Sequence, residues 1–354
     1  MEPPAPATSM PLDVGLLAGF RYACRPDCGL CCYAEPHVRP AERAPLLQLV
    51  PTPVLTRRGG EEFLSSRPDG GACRLLEANR CRGHAVRPSV CRVFPLTAHL
   101  GARAQATVVL TCPGVELTGL AEYRGPAAAG PSIGFETELA ALRERLGSTP
   151  PSVLEAGVRR RRRLARQLES HGRWESEDAV RSLLENNLPG PSAEFFPADD
   201  PPSPDGGLER LPLLFEEGRG PIAFGLALGG WELLELRAAG GVSRSLGVLP
   251  PPDRPPALTR DAERLLAGYV RYWLERDQLF GAVHLAMLDS DRGTVSEWVR
   301  AELSQIAALT VSRADVLARV RRGPADRLTE AEVGAGIRAT DQDLLDRESW
   351  GVRG

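Results

Sequence analysis

The chain has 354 residues, 42% of them hydrophobic and 25% charged, a composition ordinary for a soluble globular protein long enough for more than one domain. Formal net charge is −3, which argues against nucleic acid or an anionic membrane as a bulk electrostatic partner. All 43 basic residues are arginine, so neither a Schiff-base lysine nor a P-loop lysine is available.

Met1 to Phe20 is Pro- and Ala-rich and lacks the basic n-region of a signal peptide, so residues 1–19 are expected to be a flexible arm. No uncharged run approaches the ~20 residues that span a bilayer. A cytoplasmic location is therefore expected. Residues 20–124 hold every cysteine of the chain and form the first domain. Within it Pro40 to Thr56 predicts a short helix, and Gln105 to Leu110 a strand leading into Cys112. Gly125 to Pro131 reads as a linker. Helices follow at Phe135–Leu146, Ser152–Leu168 and Ser176–Asn186, giving a helical segment over 132–188. The Pro-, Asp- and Ser-rich stretch Pro189 to Gly207 is a second boundary, and 208–350 is a mostly helical C-terminal domain. Its opening, Ile222 to Leu236 and Gly241 to Leu249, predicts two strands of a hairpin turning at Ala238 to Gly241. Leu266, Tyr269, Val270 and Trp273 mark one buried helix face. Thr294 with Glu297, and Thr329 with Glu332, are capping boxes that start two further helices. The expected fold class is α+β: a small Cys-rich domain, then a mostly helical domain with a short β-hairpin.

The chemistry concentrates in eight cysteines: Cys24, Cys28, Cys31, Cys32, Cys73, Cys81, Cys91 and Cys112. Thiolates bind zinc or iron–sulfur clusters, normally four to a centre, so eight suit two centres or one with reserve thiols. Reduced thiols favour metal over disulfides in a cytoplasmic chain. Gly29 frees the backbone to turn between Cys28 and Cys31, while the adjacent Cys31 and Cys32 are expected to point apart. Arg74, Arg80, Arg82, Arg87 and Arg92 surround the later cysteines and are expected to offset thiolate charge. Residues 1–125 contain 14 arginines against 11 acids, a small excess consistent with this.

C-x3-C-x2-C-C at Cys24 to Cys32, then Cys73-Arg74-Leu75-Leu76, Cys81, Arg87-Pro88-Ser89-Val90-Cys91-Arg92-Val93-Phe94-Pro95 and Cys112-Pro113-Gly114 resemble the YkgJ-type cysteine-cluster family. That resemblance implies a zinc- or iron-chelating domain. The family opens CxxCxxCC, whereas here one extra residue separates Cys24 from Cys28. A distant similarity to flagellin lysine N-methylase, an iron–sulfur protein using S-adenosylmethionine, implies a second reading: an enzyme acting on a protein. A third is an interaction module folded by structural zinc. An iron–sulfur cluster of the 4Fe–4S kind is the favoured cofactor, with zinc the alternative.

Cys24-x3-Cys28-x2-Cys31 also fits the radical S-adenosylmethionine spacing, but Leu30 stands where an aromatic is usual and no βα repeat follows. His84 and His37 lie beside cysteines and are expected to be ordinary loop histidines. His99, His171 and His284 are isolated. Arg159 to Arg163 read as a solvated helix face. Gly225 to Gly230 is too loose for a nucleotide loop, and no G-x-G-x-G fingerprint occurs. The expected partner is a protein substrate or binding partner, not membrane or nucleic acid. The linker motivates one more expectation, that a fragment starting near Ser132 folds without metal.

Overall fold

The computed structural model describes residues 11–25, 28–33, 36–49, 54–58, 60–65, 73–78, 80–101, 103–126, 130–149, 151–191, 213–216, 220–227, 230–236, 242–250, 256–290, 292–323 and 326–346. In chain order the first part contains β1 (Leu12–Asp13), β2 (His37–Val38), α1 (Pro40–Leu49), β3 (Leu55–Arg58), β4 (Glu61–Leu64), β5 (Leu76–Glu77), β6 (Arg80–Cys81), α2 (Ser89–Val93), β7 (Leu96–Leu100), β8 (Ala104–Val108) and α3 (Thr118–Ala121). Then come α4 (Glu136–Gly147), α5 (Pro151–Ser170), α6 (Glu177–Glu185), β9 (Leu213–Glu216), β10 (Gly220–Ala227), β11 (Gly230–Leu236) and β12 (Val242–Leu249). The chain closes with β13 (Ala257–Leu258), α7 (Arg260–Glu275), α8 (Asp277–Ala286), α9 (Val295–Arg322), β14 (Arg327–Leu328) and α10 (Glu330–Asp346). This is the expected α+β class, assembled from small sheets and long C-terminal helices.

β8 is the pivot. It sits between β1 (parallel, Leu12 opposite Ala104) and β7 (antiparallel, Leu96 opposite Val108), and all five of its residues are buried. A buried strand must satisfy its polar groups internally. The junction of α7 and α8 does this: Gln105 Nε2 donates to the Glu275 carbonyl at 3.1 Å, and Gln105 Oε1 accepts from Asp277 N at 2.8 Å. Tyr272 donates to the Val108 carbonyl and accepts from its N–H.

α7 buries Leu266, Tyr269, Val270 and Trp273, the predicted stripe. Thr294 and Glu297 form a reciprocal capping box at the start of α9, and Thr329 and Glu332 exchange the same bonds before α10. One hydrophobic cluster draws on both sides of the 125–131 linker, from Leu16, Phe20, Val108 and Cys112 to Tyr272, Val299, Ala314 and Ile337. Removing the cysteine region would expose the apolar faces of α7 and α9, so a fragment starting near Ser132 is expected to melt rather than stand alone.

Two local expectations change. Residues 11–19 are docked rather than loose: Leu12 pairs in the sheet, and Leu16 and Leu17 are buried. Their apolar side chains outweigh the arm-like composition; residues 1–10 lie outside the described set. Ile222 to Leu236 is two strands, β10 and β11, pairing Ile222 with Glu235, within a four-stranded meander ordered β12-β11-β10-β9. The expected turn at Ala238 to Gly241 lies outside the described residues. Gly225 to Ala227 end β10 and Gly230 opens β11, with Ala227 opposite Gly230.

A buried polar knot joins α5, α8 and β7. Arg161, one of the arginine run expected to face solvent, is 7% exposed; it donates to Glu177 Oε1 at 2.7 Å and to the Asp277 carbonyl at 3.1 Å. Beside it lie His99 and His284, both buried. Burial first, and Arg161 second, holds His99 down at about 4 and His284 at about 3, against an ordinary 6.5. The unfolded chain therefore protonates these rings below 6.5 while the folded chain does not, so stability is full above that pH and falls as pH drops toward 4. Each ring removes about 1.4 kcal/mol per pH unit in that window. Chemical denaturation at neutral pH and at about pH 5 should differ by roughly 2 kcal/mol per histidine. His284→Leu should flatten the slope, and an unchanged slope in that variant would show that His284 does not carry it.

Candidate metal centre

The opening cysteines sit on a turn that the sequence shapes. Gly29 has φ +59°, a left-handed value glycine adopts freely, and Leu30–Tyr33 form a single 3-10 turn. With three residues per turn, neighbours on that turn are about 120° apart rather than opposed as in a strand. Cys31 and Cys32 accordingly meet: their thiols hydrogen-bond, and Cys32 also bonds to Cys81. The expectation that they point apart is corrected here.

Two groups of thiols result. Cys31, Cys32, Cys73, Cys81 and Cys91 act electrostatically on one another. Cys73 is tied to the turn by its N–H, which donates to the Cys32 carbonyl at 2.6 Å. Cys81 ends β6, where it lies opposite Leu76. Cys91 rides on α2, whose Ser89 N–H is capped by Glu42 Oε1 at 2.7 Å. The motif around Cys91 ends in a cis Phe94–Pro95 bond.

Cys24, Cys28 and Cys112 form the second group, with Cys31 within Coulombic range of both Cys28 and Cys112. Tyr22 pairs with Val115 as an antiparallel bridge, and Ala23 N donates to the Gly114 carbonyl at 2.9 Å, setting Cys24 beside the Cys112 turn. Two glycines permit this approach. A Cβ on Gly114 would lie 2.4 Å from the Ala23 carbonyl oxygen, and one on Gly134, at φ +86°, 2.0 Å from that of Tyr22. The Tyr22 ring stacks on Phe135 at 5.2 Å, and its hydroxyl hydrogen-bonds to Cys24.

Four of the sulfurs are held in the same way. The N–H two residues onward donates to Sγ at Cys28 (from Leu30), Cys73 (from Leu75, 3.5 Å), Cys81 (from Gly83) and Cys112 (from Gly114). N–H donors aimed at sulfur favour the thiolate, the form that ligates metal. The hydrogen bond from Cys32 is the largest influence on Cys81, followed among the lowering effects by the Gly83 N–H and Arg87; together they bring it to about 6. The hydrogen bond between Cys32 and Cys31, with Arg87, lowers Cys31. The proton stays on Cys32, whose thiol is raised. Burial pushes Cys28 up to about 11 and Cys112 up to about 12, and raises Cys91 as well.

Of the arginines expected to serve the cysteines, Arg87 does so, its charge acting on Cys31, Cys81 and Cys91. Arg82 pairs with Glu77 and Arg92 with Glu144. Arg25 and Arg338 supply positive charge to the second group, Arg25 at Cys28 and Arg338 at Cys112. Neither stood out in the sequence. His84 is exposed, and His37 packs edge-on against Phe63 at 5.6 Å. Among the described residues no three His, Cys, Asp or Glu side chains close on a single-ion site, and no helix is long and apolar enough to cross a membrane.

A purely sulfur donor set, held by backbone N–H groups and flanked by guanidinium charge, fits a thiolate-bound metal. Residues 23–113 match the model of the CxxCxxCC family, described as a "putative zinc- or iron-chelating domain"; residues 114–354 lie outside that match. No curated protein and no solved structure matches the chain, and the expected similarity to flagellin lysine N-methylase finds no support there.

Proposed function

We propose that this is an iron–sulfur protein, with a 4Fe–4S cluster held by four of Cys31, Cys32, Cys73, Cys81 and Cys91, and with Cys24, Cys28 and Cys112 as the adjoining thiols of a second or shared centre. The observation that carries the metal reading is the repeated N–H to Sγ bond at Cys28, Cys73, Cys81 and Cys112. Structural disulfides have no use for it, because an oxidised sulfur carries no charge to stabilise. Cluster is favoured over single zinc by the number and spread of the thiols. Zinc draws four sulfurs to about 2.3 Å around one point, whereas a cluster spreads its thiolates over several irons.

When bound, the cluster would supply one-electron chemistry. The chain's own part is to present thiolates, to bury Cys28, Cys73 and Cys112, and to offset charge with Arg25, Arg87 and Arg338. Thiols that ligate metal must lose their protons, so metal uptake should release protons and weaken in acid.

The test is anaerobic purification with iron, zinc and sulfide analysis. Brown protein with iron and acid-labile sulfide is expected. Colourless protein carrying zinc would replace the cluster by a structural site, and metal-free protein with all eight thiols titratable under native conditions would defeat both.

A further inference from the structure

We propose that Arg338, on the C-terminal helix α10, is a positioning residue of the metal centre that holds the Cys112 ligand turn in place; this rests on the metal reading above. One turn of α10 grips residues 110–115 through five hydrogen bonds. Arg338 Nη1 donates to the carbonyls of Leu110 (2.9 Å) and Cys112 (2.5 Å), and Nη2 to that of Val115 (2.7 Å). Thr111 Oγ1 donates to the Arg338 carbonyl at 2.7 Å, and Leu110 N to Asp341 Oδ2 at 2.7 Å. Ala23 N donates to the Gly114 carbonyl of the same turn at 2.9 Å.

The chemistry of arginine matters here. Its planar fork satisfies three carbonyls at fixed angles, which a lysine ammonium on a flexible stem does not reproduce. The same guanidinium places a positive charge near the Cys112 sulfur, with Arg25 close by. Arg338 therefore fixes the direction of one thiol and lowers the cost of its negative charge, from more than 220 residues away in sequence. The C-terminal helical region is in this sense part of the metal site rather than an appendage to it.

The experiment compares full-length wild type, Arg338→Met, Arg338→Lys and, as a control, Glu332→Gln. Glu332 pairs with Arg322 and caps α10 at its far end, so losing it loosens the helix without touching Cys112. Three quantities are read under anaerobic conditions: metal per chain, the visible and electron-paramagnetic spectra, and the alkylation rate of Cys112 in the metal-free protein by peptide mass spectrometry. Arg338→Met removes three hydrogen bonds to the Cys112 turn, and the loosened turn is expected to speed Cys112 alkylation at least about tenfold, outweighing the slowing from the lost positive charge. Metal content should fall and the spectrum shift. Arg338→Lys should recover part of the metal content but not the wild-type spectrum, and it serves in place of Arg338→Met if that variant does not fold. Glu332→Gln should change melting alone. Wild-type alkylation and spectra in both Arg338 variants would overturn the proposal, as would an equal effect of Glu332→Gln. Metal-free wild type would defeat the metal reading itself, and the alkylation rates would then still report whether Arg338 holds the thiol.

Discussion

Serine at Cys81 is expected to strip the metal from this protein and unfold the ground around it. Cys81 is hydrogen-bonded to Cys32, receives the Gly83 N–H and is drawn toward thiolate. A serine oxygen is a harder, poorer donor to iron or zinc. Metal binding in such sites is coupled to folding, and for structural zinc it amounts to on the order of 10 kcal/mol or more. Losing one ligand of four therefore sacrifices a large part of the stability of residues 28–112. Cys28→Ser, Cys91→Ser and Cys112→Ser are expected to act in the same direction. Cys24→Ser should do less, since Cys24 is exposed and follows the atypical spacing. Metal stoichiometry and thermal melting across the series decide this. Full metal and wild-type melting in both Cys91→Ser and Cys112→Ser would show that the later cysteines are not ligands and that the site does not join the two segments.

The cysteine set was legible because its signal is local: spacing, a glycine at the turn and short motifs all lie within the match at 23–113. What the spacing did not reveal is how the thiols are divided. The meeting of Cys31 with Cys32 depends on a 3-10 turn rather than an extended segment, and short turns carry no periodic pattern. Arg338 was invisible for a different reason. On paper it is one arginine among 43, and only the packing of α10 against the Cys112 turn makes it special. Long amphipathic helices fared best, since Leu266 to Trp273 and the two capping boxes are read from neighbours a turn apart. The linker at 125–131 looked like a divide by composition, yet the apolar faces on its two sides were too large to be covered separately and share one cluster. The same shared core explains why residues 11–19 dock: Leu16 and Leu17 cover apolar surface that the helices leave open.

The largest effect away from the cysteines is expected at Asp341. Its carboxylate meets Arg276 at 3.1 Å with both side chains fully buried. Oδ2 accepts the Leu110 N–H at 2.7 Å, and Oδ1 the Tyr269 hydroxyl at 3.3 Å. Arg276 lies over the Tyr272 and Trp273 rings, 4.4 Å and 4.1 Å from their centroids, and donates to the Val108 carbonyl at 3.0 Å. Its Nε and Nη1 have no hydrogen-bond partner among the described residues, so Asp341 and the two aromatic faces carry most of the charge compensation. Asp341→Ala leaves that charge buried and unpaired, a loss of about 3–5 kcal/mol. It also orphans the Leu110 N–H, about 1–3 kcal/mol more where water cannot reach it. Asp341→Asn keeps the shape and one acceptor, so it should fall between wild type and alanine. Replacing both partners, Arg276→Met with Asp341→Leu, should recover much of the loss, because two apolar side chains need neither partner nor water. Urea denaturation of the two single variants and the double gives the coupling directly. A cost below about 1 kcal/mol for Asp341→Ala, or a double variant as weak as the sum of the singles, would mean that the buried pair does not hold α10 to the β8 strand.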